Sequence, residues 1–170
     1  MKSVINYLNE MKENNIIKEY AVGEAIALIY YFEPIQTQEI DVFIIVKETD
    51  TLFVSLSPIY NILESKGGIL REEYIIIHNT PVQFLVAYNQ LIEEALYNSN
   101  KVFYLGSEFS IFSLEYLMAI MVQTSRGKDK ARLEEILKVN LNFDKSKFES
   151  ILKKYSLETK WEKIKSGFDL

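Results

Sequence analysis

At 170 residues and 19.9 kDa, with 48% apolar and 13% aromatic content, the chain has the size of one ordinary domain and ample material for a core. Its 25% charged residues, net charge of −5, 6 glycines and 3 prolines exclude collagen-like, linker-like and disordered classes. The absence of cysteine and the single histidine, His78, remove disulfide frameworks, thiolate metal sites, cysteine nucleophiles and multi-histidine centres, so any chemistry falls to carboxylates, Lys/Arg and a bound hard cation.

In chain order, Ser3 is expected to cap a first helix with Val4, Ile5, Leu8 and Met11 at helical spacing, stopped by Asn14-Asn15. Tyr20 to Val22 reads as a short strand broken by Gly23, and AIALIYYF as a buried helix ending before Pro34. The β-branched and aromatic run Glu39 to Val46 predicts a strand with its acids at the entry. Pro58 to Ser65 predicts a helix with Ser57 as N-cap and Gly67-Gly68 as its stop. Ile69 to His78 and Val82 to Ala87 read as two strands of a hairpin around Asn79-Thr80-Pro81. Leu91 to Tyr97 follows as a helix, then short strands at Val102 to Leu105 and Phe109 to Phe112. From Leu114 the chain turns helical: Ser113 caps LEYLMAIMVQT, SRGKD interrupts, Lys130 to Asn140 forms a second helix, Asp144 caps a third towards Tyr155, and Trp161 anchors a last one. The class is α/β (α+β), with a core over residues 1–112 and a helical subdomain over 113–170 in one continuous unit.

No run approaches the length of about 18 to 20 apolar residues that spans a bilayer, and Asn6, Asn9 and Glu10 interrupt any signal-peptide core, so a cytoplasmic location is expected. Residues 1–120 hold 7 Lys/Arg against 16 Asp/Glu, whereas residues 121–170 hold 12 against 8. Arg126, Lys128, Lys130 and Arg132 are either a solvated helix face or a cationic wall suited to polyphosphate. The overall acidity argues against duplex DNA as a partner.

Glu39 and Asp41 stand two apart at the start of a strand, so both carboxylates leave one face and can converge on one ion. Two hard oxygens suit Mg²⁺ when water and substrate phosphate fill its other positions; solvated acids at a strand entrance are the structural alternative. Gly23, in a strand-to-helix turn, would let a phosphate approach the backbone. With these features, VGEAIALIYYFEPIQTQEIDVFIIV resembles the nucleotidyltransferase superfamily, whose pattern is a glycine turn, a helix, and a strand bearing acid, hydrophobic, acid. TPVQFLVAYNQLIEEAL and FSLEYLMAIMVQTSRGKDKARLEEIL look like the remainder of a bacterial branch related to AbiEii-type and minimal nucleotidyltransferases.

The resemblance implies Glu39 and Asp41 as metal ligands for Mg²⁺ (or Mn²⁺), Gly23 as the phosphate turn and Thr37 as a hydrogen-bonding group near the phosphates. It implies Arg126 and Lys128 as neutralising cations and Asp129 as an orienting group or proton acceptor, with a plain turn and helix cap as the alternative for RGKD. A nucleoside triphosphate is the implied ligand, and a protein, an RNA end or a small molecule the acceptor. Toxin–antitoxin systems are one setting in which related proteins occur. Three departures stand out. Glu24 occupies a position where the pattern has Gly or Ser, Glu39 stands where Asp is commoner, and Gln83 falls where active members carry a third carboxylate as base. A catalytically degenerate binding or interaction module is therefore the competing reading. His78 reads as a turn residue rather than a base; Tyr30, Tyr31 and Phe32 read as core packing rather than a base-stacking set.

Overall fold

In a computed structural model that describes residues 1–31, 39–46 and 55–169, the chain begins with α1 (Lys2–Glu13), β1 (Ile17–Val22), α2 (Glu24–Tyr31), β2 (Ile40–Val46) and α3 (Ser57–Ser65). A run of strands follows: β3 (Ile69–Arg71), β4 (Tyr74–Ile77) and β5 (Thr80–Val86), then α4 (Gln90–Tyr97), β6 (Asn100–Tyr104) and β7 (Ser107–Ile111). Four helices close the chain: α5 (Leu114–Thr124), α6 (Gly127–Lys138), α7 (Lys145–Lys154) and α8 (Glu158–Lys165). The mixed α/β class follows directly from the alternation of period-2 and helical segments.

The strands form one seven-stranded mixed sheet in the order β3-β4-β5-β2-β1-β7-β6. β2 sits centrally, antiparallel to β1 and parallel to β5, and its burial explains why its sequence is apolar on successive positions rather than alternating. α1 lies against β1 and β7, α3 against β3 and β4, and α4 against β1 and β2. α5, almost wholly buried, touches α2, α4, α6, α7 and α8, so the C-terminal helices share one continuous core with the sheet. Phe148, Trp161 and Phe168 join edge to face there, which makes Trp161 the packing anchor of α8.

Several boundaries differ from the sequence reading, each for a local reason. Residues 69–78 are two strands, because Glu72 adopts φ +53 and turns the chain between Arg71 and Tyr74. The β4–β5 turn is His78-Asn79, both at positive φ as a tight hairpin requires, and Pro81 sits near the start of β5 where a missing donor is tolerated. His78 is thus a turn residue. Ser3 lies inside α1, which starts after Met1, and Ser57 is the first residue of α3, with Leu56 as its N-cap. Ser113 holds the N-cap position of α5, but its hydroxyl makes no capping bond. α6 begins at Gly127 rather than Lys130, because Asp129 accepts from the Arg126 N–H at 3.0 Å and starts the helix three residues earlier.

Candidate functional site

Sheet register gathers the acids. Asp41 on β2 pairs with Gln83 on β5, Gln83 with Tyr74 on β4, and Tyr74 with Arg71 on β3. Paired residues leave the same face, so Asp41, Gln83, Tyr74 and Arg71 form a lateral row across four strands, with Glu39 just before the start of β2. The Tyr74 phenol is hydrogen-bonded to the Glu39 carboxylate, which raises the phenol above its ordinary range. Reading residues 69–78 as one strand hides this row, since residues three apart in a strand face opposite ways; the turn at Glu72 brings Arg71 and Tyr74 into register. Glu39 and Tyr74 border a cavity of about 550 Å³ with Arg71, Glu72, Ile76 and Pro81.

Beside this row, β1 ends at Val22 and the chain turns into α2. The Gly23 N–H donates to the Asp41 carbonyl at 2.9 Å, so it is held by the strand that bears the acids. A Cβ on Gly23 would lie 2.5 and 2.7 Å from ring carbons of Phe43, so close packing by itself demands glycine here. Glu24 follows with φ +27, a left-handed conformation that side chains rarely adopt. It opens α2, where the first N–H groups have no helical partner.

The Glu24 carboxylate is buried and held by three cations. Arg126 NH2 is hydrogen-bonded to Oε1, while Lys128 Nζ lies 3.0 Å and Arg132 NH1 3.3 Å from Oε2. Lys128 and Arg132 are four apart and share one face of α6; Lys130 points elsewhere and lines a separate cavity with Lys160 and Lys163. The expected four-residue wall is therefore a three-residue cluster centred on one carboxylate. Arg126 is itself fixed by Asp129, which is fully buried and accepts at Oδ2 from Thr124 Oγ1 (2.6 Å), Arg126 N (3.0 Å) and Arg126 Nε (2.8 Å), and at Oδ1 from Arg126 NH2 (3.1 Å).

The electrostatics divide the acids. Burial works to raise Glu24, but the hydrogen bonds from Lys128 and Arg126, with their charges, outweigh it and hold the carboxyl below its usual range. Asp129 is depressed in the same way, burial being outweighed by the bonds from Arg126 and Thr124. Asp41 goes the other way: burial, then the charges of Glu24 and Glu39, raise it against the weaker pull of Lys128 and Arg126. Asp41 is thus an acid without enough positive charge around it.

Among the described residues, no group of three or more His, Asp or Glu side chains converges as a metal cage. The donors on offer are the carboxylates of Glu39 and Asp41, with the Gln83 amide beside them. This set of hard oxygens fits an ion such as Mg²⁺ that takes one or two protein carboxylates and completes its shell with water and phosphate; it does not fit a self-sufficient protein site. Thr37 and Phe32 lie outside the described residues. Tyr30 is 56% exposed and meets Tyr31 edge to face, whereas Tyr31 donates to the Phe112 carbonyl at 3.0 Å, so the two serve different surroundings.

No family model matches the chain, and no curated protein matches it in sequence. Among solved structures, the chain is similar to an antigenic nucleotidyltransferase-like protein from Paracoccidioides brasiliensis, with a TM-score of 0.52 and 13% identity over 98% of this chain and 92% of that one. At this identity the likeness is one of fold: the chain has a nucleotidyltransferase-like fold along nearly its whole length. No helix among the described residues is long and apolar enough to cross a membrane.

Proposed function

We propose that the chain binds a nucleoside triphosphate together with Mg²⁺ (or Mn²⁺) at Glu39 and Asp41, and that nucleotidyl transfer to an acceptor hydroxyl is the reaction its parts suit. The observation that carries the reading is the row built on β2: two acids on one face, the second in register with Gln83 and bonded through its own backbone to the glycine turn. When bound, the cation supplies charge neutralisation at the reacting phosphate. Glu39 and Asp41 would hold it, and the first turn of α2, which follows the glycine turn, would offer its N–H groups to the phosphates. Arg126, positioned by Asp129, is the cation this reading assigns to them. Gln83 stands where an acceptor proton would have to go and cannot take it. The absence of a general base typically costs about 10² to 10⁴-fold, so turnover is slow. The acceptor class, the AbiEii-like affinity and a toxin–antitoxin setting remain part of this proposal.

A second reading, a degenerate module that keeps the fold for binding a partner, is favoured by the same Gln83 and by Glu24, which already occupies the cations that triphosphate needs. Thermal shifts of the wild type and Asp41→Asn with ATP, CTP, GTP and UTP, with and without Mg²⁺, separate the two. A ligand at about 100 times its Kd adds about 2.7 kcal/mol, which is roughly 5 to 10 °C for a domain of this size. The nucleotide reading expects a Mg²⁺-dependent shift that Asp41→Asn abolishes, while the unliganded variant melts at or above the wild type because a crowded, raised carboxyl has been neutralised. No shift with any nucleotide refutes it and leaves the module.

A further inference from the structure

Three cations converge on one carboxylate at the mouth of α2, which is more positive charge than a single internal acid requires. Arg126, Lys128 and Arg132 face two anions, Glu24 and Asp129, and Asp129 pairs with Arg126 alone among the three. Taken alone, these five groups leave one unit of positive charge, and Asp41 lies within electrostatic reach of Arg126 and Lys128. The partners of Glu24 are unequally exposed: the side chains of Arg126 and Lys128 are 46% and 51% exposed and that of Arg132 19%, whereas Glu24 itself is 11% exposed. Long, half-exposed cations reach solvent without unfolding anything, so a dissolved anion can meet them where they stand.

Glu24 also pays in backbone strain for its place, at φ +27 in the first residue of a helix. A conformation of this kind persists where surrounding contacts over-determine it, and the three ion pairs do so. The carboxylate is thus held by the cation cluster and lies within electrostatic reach of Asp41, so another anion in its place would meet the same cations close to that acid.

We propose that Arg126, Lys128 and Arg132 are a binding site for a phosphate or pyrophosphate group and that the Glu24 carboxylate is its resident occupant, which an incoming ligand must displace. Exchange replaces a singly charged carboxylate by a more highly charged anion at the same three cations. Glu24 swings out to solvent, the polyanion takes its three partners, and α6, which Glu24 ties to α2, is then tied through the ligand instead. Resting affinity is low because binding is measured against an anion already in place, and apparent affinity falls with the fraction of molecules in which Glu24 is released. The inference deepens the nucleotide reading and takes from it only the nature of the ligand.

The test uses inorganic pyrophosphate in EDTA at low salt, followed by calorimetry on the full chain, so that neither metal nor nucleobase contributes. Glu24→Gln, which keeps the shape and removes the competing charge, is expected to bind pyrophosphate at least about tenfold more tightly than the wild type, and adding Lys128→Ala and Arg132→Ala is expected to abolish the gain. Glu24→Gly, which accepts the positive φ, gives the same result if the glutamine variant is poorly folded. In the wild type, pyrophosphate is expected to move the side-chain carboxyl carbon resonance of Glu24. Folded Glu24 variants that bind no better than the wild type overturn the proposal, as does a Glu24 resonance that stays unmoved throughout the titration. A gain in pyrophosphate affinity without any Mg²⁺-nucleotide shift sinks only the nucleotide reading, and the converse sinks only the exchange.

Discussion

Asp129→Asn tests whether the buried carboxylate of α6 is the part that fixes Arg126. The side chain is fully buried and accepts four hydrogen bonds, three at Oδ2 and one at Oδ1, three of them from Arg126. An asparagine can place its oxygen at the Oδ2 position and keep those three bonds to an uncharged acceptor, but its NH₂ then faces the Arg126 NH2 donor. One bond is lost, and the three that remain, to the hydroxyl, the backbone N–H and the guanidinium, lose the acceptor charge that strengthens them. Breaking a fully buried pair costs about 3 to 5 kcal/mol, and because Arg126 is nearly half exposed and keeps Glu24, a discounted loss of about 2 to 4 kcal/mol is expected. For a domain of this size that lowers Tm by roughly 5 to 15 °C. Urea melts and calorimetry of Asp129→Asn beside Lys128→Ala make the measurement, with the half-exposed lysine costing under about 1 kcal/mol. If the two variants melt together, Asp129 does not clamp Arg126 and the account of the cluster fails.

Gly23→Ala drives a methyl group into the Phe43 ring and is expected to cost about 1 to 3 kcal/mol, read as a fall in urea midpoint; an unchanged midpoint would mean that the ring yields freely. Because Glu24 and Asp129 are held below their ordinary values, they stabilise the fold above the unfolded-state range, and this contribution is lost as pH falls through their folded values. Asp41, raised, works against stability at neutral pH and ceases to do so on protonation. Tm against pH should therefore fall less steeply on the acid side in Glu24→Gln than in the wild type, and parallel curves would contradict the sign. Trp161→Ala removes the ring between Phe148 and Phe168 and should cost about 3 to 5 kcal/mol, with α8 gaining fast amide exchange before the sheet does.

Much of the fold was legible because its elements carry strong local signals. The β-branched run at Ile40 to Val46, the proline at the start of α3, Asp144 as a cap, and the apolar helical spacing from Leu114 each have a single reasonable reading, and each lies where it is expected to within a residue or two. What was illegible depends on turns without the usual turn residues. Glu72 at φ +53 between Arg71 and Tyr74 has no glycine, asparagine or proline to announce it, so β3 and β4 read as one strand. Asp129 looks like a solvent-facing helix starter until burial shows that its oxygens are spent on Arg126 and Thr124.

Glu24 shows how a residue that breaks a sequence pattern acquires meaning only from tertiary partners. From the sequence, a carboxylate at a phosphate turn is a repulsive defect, because it shares the sign of the triphosphate expected there. The compensating charges come from a helix more than a hundred residues away, and Arg126, Lys128 and Arg132 face Glu24 together only because α6 starts at Gly127 and sets the phase of its face. Had α6 begun at Lys130, that phase would have had no anchor. The Asp129 bond to the Arg126 N–H is what fixes it, so the capping contact at the head of α6 governs how much positive charge the candidate site receives.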